Sequence, residues 1–280
     1  MTLNLDVVGR RFEAVERRWT SKDALLYSLG IGVGIDDPYR DLQFSTENSI
    51  GIDQAMLPTF PVLLIGPGIP LGDFPLSRVL HAAQSVQLLA DLPVEGHAHV
   101  TGCVLEIQDK GEHAMVVMES DIESADRSRT LARTRSTIFI RGEGGFGGDR
   151  GKPDDWMAPD TAPDFIERFT TRPDQGLLYR LSGDRNPLHS DPEFAKTAGF
   201  DRPILHGLCT YGFTGRALLR TIGDDVSRFG MFEAQFRRPV YPGDELEVRI
   251  WEQTGGRKVF QTVVSGHVVL DRGVFEERGA

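Results

Sequence analysis

The feature that most constrains this chain is that part of it occurs twice. Leu25-Leu-Tyr-Ser-Leu29 returns as Leu177-Leu-Tyr-Arg-Leu181, an offset of 152 residues from 25 to 177, with Asp23 and Asp174 ahead of the two copies. Further on, Leu92-Pro-Val-Glu-Gly96 introduces an alternation through Val100, Gly102, Val104 and Glu106. Val240-Tyr-Pro-Gly243 likewise introduces Leu246, Val248 and Ile250, with Glu245, Glu247 and Arg249 between them. Period-two alternation after a Pro/Gly turn predicts half-buried strands. Residues 114–118 and 136–140 continue the β pattern in the first half, and 259–264 and 267–270 in the second. Each half also has one segment of helical period. In the second it is 208–222, where Leu208, Tyr211, Gly215, Leu218 and Ile222 recur at spacings of three and four. In the first it is 54–65, weakened by Pro58 and Pro61. Each half therefore reads as one helix against an antiparallel sheet, an α+β unit, and the repeat packs two such units side by side.

Between the halves, Gly142-Glu-Gly-Gly-Phe-Gly-Gly148 runs into a Pro- and Asp-rich stretch ending near Pro163, with no apolar period. The boundaries expected are 1–148 for the first half, 149–162 for a linker and 163–280 for the second half. The chain has 31 Lys and Arg against 41 Asp and Glu, a net charge of -10, and no basic run longer than two. That argues against nucleic acid, whose phosphates require clustered cations. No apolar run approaches the ~20 residues of a membrane span. The first ten residues lack a signal-peptide core, and Glu277-Arg-Gly-Ala280 is no peroxisomal address, so the expectation is a cytoplasmic protein off the membrane. Cys103 and Cys209 are too few for a disulfide framework and are expected to be core residues.

The densest cluster of chemical residue types is Tyr179-Arg-Leu-Ser-Gly-Asp-Arg-Asn-Pro-Leu-His189. Pro187 keeps Asn186 out of helical geometry, so Asp184 and His189 ride on a loop. A short helix follows, with Asp191 as N-cap, Pro192 at its first position and Gly199 closing it. A carboxylate beside an imidazole is an acid/base pair suited to neutral pH. An Asp that caps a turn and a His bonded to a carbonyl would account for the same letters. The repeat favours chemistry, because the positions offset from Asp184 and His189 are Gly32 and Asp37: both halves keep the turn and only one keeps the pair. His206-Gly207 opens the second helix, where free N–H groups and the dipole favour an oxyanion. Cys209 falls inside the apolar pattern and is not taken as a nucleophile.

Gly142-x-Gly144-x-x-Gly147 spells a dinucleotide fingerprint but leads into Asp149 and Pro153 instead of a helix, so a Rossmann reading is rejected. The glycines are still able to make a loop that hugs a ligand. Asp184, His189 and His206, or His97 with His99, lack a recognisable ligand spacing, and neither metal nor cofactor is expected.

With Ser182-Gly-Asp-Arg-Asn-Pro-Leu-His189 and Pro203-Ile-Leu-His-Gly-Leu-Cys-Thr-Tyr-Gly212 in view, the chain closely resembles the MaoC-like hydratase 2 family, the (R)-specific enoyl-CoA hydratases. The resemblance extends to Leu57-Pro-Thr-Phe60, Ile107-Gln-Asp-Lys-Gly111, Gly144-Gly-Phe-Gly-Gly148 and Phe236-Arg-Arg-Pro-Val-Tyr-Pro-Gly243. It implies a double hot-dog fold, two helix-wrapped sheets joined edge to edge, and reversible hydration of a trans-2-enoyl-CoA to a (3R)-3-hydroxyacyl-CoA in fatty acid metabolism. Asp184 and His189 then match the pair that activates water, Asn186 the residue supporting their loop, and Gly207 the N–H donor to the thioester oxygen. Substrate contacts map onto His81, Ala82, Lys110, Asp184, Arg185, Asn186, Pro187, Leu188, His189, Gly207 and Phe236, with Lys110, Arg237 and Arg238 as cations for the CoA phosphates. One departure stands out: many relatives read His-Gly-Glu-Gln where this chain has His81-Ala-Ala-Gln84, so no carboxylate role transfers to Ala83. A dehydratase of acyl-carrier-protein thioesters, a non-catalytic acyl-CoA binding module, and assembly as a homodimer stay open.

Overall fold

The computed structural model describes residues 3–151 and 155–279; residues 152–154 of the expected linker and both extreme termini lie outside the described residues. The strands are β1 (Arg11–Trp19), β2 (Val79–Leu88), β3 (Gly96–Lys110), β4 (His113–Ser124), β5 (Thr130–Ile140), β6 (Phe165–Thr170), β7 (Phe229–Phe236), β8 (Glu245–Glu252), β9 (Arg257–Val264) and β10 (His267–Glu277). They form one ten-stranded sheet in the order β1-β3-β4-β5-β2-β7-β10-β9-β8-β6. Replacing each strand of the second half by its counterpart in the first makes this order a palindrome about the β2–β7 seam. The internal repeat is thus legible in the topology. At the seam, Ala83 pairs with Gln235 and Gln87 with Met231 in an antiparallel ladder.

The alternation read from sequence is the burial pattern observed in β8, and in β3 as far as Val104; there a register shift between Val104 and Glu106 breaks the period, so Glu106 is exposed and Ile107 turns inward. Val100 and Val104 of β3, and Leu246, Val248 and Ile250 of β8, are fully buried. Among the described residues five α-helices accompany the sheet, more than the sequence led one to expect: α1 (Ser21–Gly30), α2 (Leu42–Ser45), α3 (Gln175–Tyr179), α4 (Pro192–Thr197) and α5 (Gly207–Arg220). The duplicated Leu-Leu-Tyr motif supplies α1 and α3, whose tyrosines, Tyr27 and Tyr179, meet with ring centroids 6.3 Å apart. Thr20 and Asp23 close a reciprocal capping box on α1, satisfying two backbone donors at the helix start. Asp191 caps α4 as expected.

Helix α5 is the central helix of the second half. It is buried without interruption from Cys209 to Leu219, including Thr210, Thr214 and Arg216. A helix buried on all sides needs its polar groups paired. The Thr214 hydroxyl meets that of Thr262 at 2.7 Å, and Arg216 donates to the Ile31 carbonyl at 3.0 Å. At Gly212 an added Cβ would lie 2.5 Å from the Ile31 side chain, so α1 and α5 can approach only over glycine.

The first half departs from expectation. Residues 54–65 form no α-helix; only a single 3-10 turn, Phe60–Leu63, survives there. Pro58 and Pro61 remove two amide donors from that stretch, which propagation of an α-helix could not absorb. The loop of residues 62–71 lies over one face of the first-half sheet, with Gly66 against Ser120 and Pro67 against Gly102. Cys209 is buried as expected, but Cys103 is only half-buried. Among the described residues no helix is long and apolar enough to cross a membrane.

The Gly-rich loop folds back onto the carboxylate of Asp109, joined there by Gly111. Gly111, Gly145 and Gly147 donate backbone N–H bonds to the Asp109 carboxylate at 2.8, 3.1 and 2.6 Å. Led by Gly145, these donors hold its carboxyl below the usual carboxylate range.

Candidate active site

The loop after α3 is built by two 3-10 turns, Arg180–Ser182 and Pro187–His189, separated by Gly183 at φ +128°, a conformation open to glycine. Asp184 Oδ1 accepts from the Asn186 N–H and Asn186 Oδ1 from the Leu188 N–H, each at 3.0 Å. These nested bonds fix the turn. His189 Nδ1 lies 2.9 Å from the Ile204 carbonyl, which can only accept, so Nδ1 carries the proton and Nε2 keeps a lone pair. By the same logic His206 Nε2 donates to the Asp184 carbonyl at 3.2 Å. The two imidazoles stack with centroids 3.8 Å apart. Burial pushes both below the ordinary histidine pKa, against the attraction of Asp184, so both are neutral at neutral pH. Ligand-type atoms of Asp184, His189 and His206 lie within 4.8 Å of one another. Tyr179 Oη, Ser182 Oγ, His206 Nδ1 and Thr210 Oγ1 around this centre are buried with no partner among the described residues. Such polar atoms are ordinarily satisfied by bound water.

Gly207 is the first residue of α5, where backbone N–H groups lack helical acceptors. A Cβ there would come within 2.9 Å of the Phe236 ring. Phe236 in turn packs on His81 of β2 at 4.8 Å, so the two halves meet at the helix start. His81 Nε2 lies 3.0 Å from the Ser136 hydroxyl, and burial holds its pKa down at about 4. A β-bulge lies between His81 and Ala83, where His81 pairs with Ile138 and Ala83 with Thr137. The extra residue shifts the pleat by one, so His81 and Gln84 face the same side although their odd spacing would oppose them in a regular strand.

Two cavities converge here. One, of about 550 Å³, extends over the first-half sheet beneath residues 62–69; the other, of about 420 Å³, opens toward Arg141, Arg237 and Arg238. His81, Asp184 and Leu208 line both. Of the residues expected at a site, Asn186, Leu188, His189, Gly207 and Phe236 line the second cavity and Arg185 the first, whereas Ala82 and Pro187 line neither. Lys110 is turned away: at the end of β3, its ammonium donates to the Arg150 carbonyl. Arg141, not anticipated, lines the second cavity from the first half, with Arg237 and Arg238 from the second. Gly32 and Asp37, the offset counterparts of Asp184 and His189, are structural. An added Cβ at Gly32 would collide with Phe213, and exposed Asp37 accepts from the Tyr39 N–H at 2.9 Å.

Residues 18–142 match the family described as "MFE-2 hydratase 2 N-terminal domain", and residues 156–272 match "MaoC like domain". The chain is 44% identical, over 99% of its own length and 99% of the relative's, to "3-hydroxyacyl-thioester dehydratase Y" of Mycobacterium tuberculosis. It is 42% identical, over 95% of its length and 94% of the relative's, to "Enoyl-CoA hydratase ChsH3" of the same organism. A solved MaoC-like dehydratase from Phytophthora capsici superposes with a TM-score of 0.86 at 33% identity, covering 99% of this chain and 98% of the other.

Proposed function

Because the chain belongs to the MaoC-like hydratase 2 family, with its double hot-dog fold, we propose that it is an (R)-specific enoyl-CoA hydratase, a hydro-lyase that adds water reversibly to a trans-2-enoyl-CoA to give a (3R)-3-hydroxyacyl-CoA. The observation that carries this reading is the placing of the Asp184 carboxylate, which lines both cavities, within 4.8 Å of a ring nitrogen of His189, which lines the second, beside the start of α5.

The chemistry has three requirements. Water must lose a proton as its oxygen bonds C3, C2 must gain one, and the thioester oxygen must be stabilised while it carries enolate charge. A water held by the Asp184 carboxylate and His189 Nε2 gives its proton to this pair, which returns one to C2 on the same face. Asn186 acts through the turn it fixes. The Gly207 N–H, with the helix dipole behind it, faces the thioester oxygen. The acyl chain takes the larger cavity, where the first half has lost its long helix, and the CoA phosphates take Arg141, Arg237 and Arg238. This assignment supports a division of labour in which the half without the polar pair supplies volume.

Steady-state hydration measured over enoyl-CoA esters of increasing length, with an acyl-carrier-protein thioester alongside, tests the proposal. Hydration of the CoA esters supports it. Preference for the carrier-bound substrate would replace it with a carrier-protein dehydratase, and binding without turnover with a non-catalytic acyl-CoA module.

A further inference from the structure

The sheet face beneath the larger cavity can be read row by row across β2, β5, β4 and β3. One row, Leu88, Ala132, Ile122 and Val100, is apolar and buried throughout. The next is Val86, Thr134, Ser120 and Gly102, and the one after it Gln84, Ser136, Met118 and Val104. Four adjacent positions of an inward face are thus polar where the neighbouring row is apolar. All four, Gln84, Ser120, Thr134 and Ser136, line the cavity. Two are engaged: the Ser136 hydroxyl meets His81, and the Gln84 amide donates to the Ser85 carbonyl. The side-chain hydroxyls of Ser120 and Thr134, paired across β4 and β5, have no protein partner among the described residues. Above them the roof is kept low by glycine: a Cβ at Gly66 would sit 2.9 Å from Ser120 Oγ. Thr134 lies one strand repeat, about 7 Å, beyond Ser136 and farther from His81.

A plain alkyl chain laid over this face would strip water from two hydroxyls and give them nothing in return. A chain with an oxygen substituent at that depth would pair with them. We propose that the substrate class is an enoyl thioester whose acyl chain carries a hydroxyl or keto group in mid-chain, recognised by Ser120 and Thr134. This rests on the hydratase reading above and names the acyl group it prefers.

The test compares kcat/KM of the full-length protein for two enoyl-CoA esters of equal chain length, one plain and one hydroxylated in mid-chain. Repeating it with Ser120→Ala/Thr134→Val, which removes both hydroxyls while keeping the shape at 134, and with Thr134→Ser, which keeps its hydroxyl, isolates the two groups. The expected result is a preference of about tenfold or more for the oxygenated ester. The double variant should lower the rate for that ester and raise it for the plain one, bringing the ratio near unity, while Thr134→Ser retains the preference. Equal use of both esters by the unaltered protein, or a preference that survives the double variant, would overturn this inference and leave the hydratase reading standing. Failure to hydrate either ester would overturn the hydratase reading, and this one with it.

Discussion

Asp184→Asn separates chemistry from architecture at a single atom. The structural duty of Asp184 is to accept the Asn186 N–H at 3.0 Å, and the amide oxygen of asparagine can do the same. The variant should therefore fold with little change, within ~1 kcal/mol, or a shift in Tm of at most ~4 °C for a protein of this size. What is lost is the negative charge that holds the water and shares its proton. Removing a general acid/base group typically costs a factor of roughly 10² to 10⁴ in kcat, equivalent to ~2.7 to ~5.4 kcal/mol of transition-state stabilisation. His189→Ala should cost a similar factor, together with some stability, since the Ile204 carbonyl loses its donor and His206 its stacking partner. Because the two groups act on one water, the double variant should be little slower than the slower single one. Asp37→Ala, at the matching place in the first half, should leave the rate intact. The assay is the fall in ultraviolet absorbance as the conjugated enoyl thioester is hydrated, run beside a melting curve for each variant. A folded Asp184→Asn protein that kept most of its hydratase rate would refute the mechanism even within the same family.

Stability should depend on pH through the buried histidines. His81 has a folded pKa of about 4 against about 6.5 unfolded, so the unfolded chain binds more protons between those values. That contribution is complete above about pH 6.5 and is lost as pH falls toward 4, with His189 and His206 acting in the same direction. Tm measured from pH 8 down to 4.5 should fall below 6.5, and His81→Gln should flatten the fall; a Tm that rose on acidification would contradict the account. Arg141→Ala/Arg238→Ala should raise KM for CoA esters roughly tenfold, ~1.4 kcal/mol, at nearly constant kcat, with less salt dependence than the unaltered protein. An unchanged KM would move the CoA phosphates elsewhere. Exhaustive dialysis against a chelator should leave the rate untouched; a loss restored by zinc would make the cluster of Asp184, His189 and His206 a metal centre.

How much of this was legible in the sequence varies with the range of the physics involved. Local signals carried in part: the Pro/Gly turns introduced β3 and β8, and Asp191 with Pro192 began α4, whereas the Leu-Leu-Tyr repeats marked the duplication without revealing that both copies are helical, α1 and α3. The backbone of the turn holding Asp184, Asn186 and His189 is also local, since its bonds span two or three residues, although the His189 ring is oriented by the more distant Ile204 carbonyl. The helix expected at 54–65 failed because apolar spacing outweighed what Pro58 and Pro61 do to the amide ladder. That Lys110 turns from the cavity and Arg141 lines it was not legible, because a side chain's reach at a strand end depends on the loop packed against it, here the one that offers the Arg150 carbonyl. The shared facing of His81 and Gln84 was invisible, since a bulge is a property of a pair of strands. The stacking of His189 on His206 likewise arises only when two separate segments meet.

The β2–β7 seam has a consequence for how such a site behaves on dilution. His81 reaches the site from one half, and Asp184, His189 and Phe236 from the other, across five register pairs from Ala83–Gln235 to Gln87–Met231. Were the halves separate polypeptides, the site would be a second-order object, its occupancy falling with protein concentration. Covalent linkage turns that encounter into an intramolecular one, with an effective concentration set by the connecting chain. Turnover per chain should then be independent of enzyme concentration as far as this seam is concerned. The fusion also frees each half to change alone. In a pair of identical subunits every substitution appears twice, so losing the polar pair on one side would lose it on both. In a single chain one copy can give up its chemistry and its helix for space while the other keeps both.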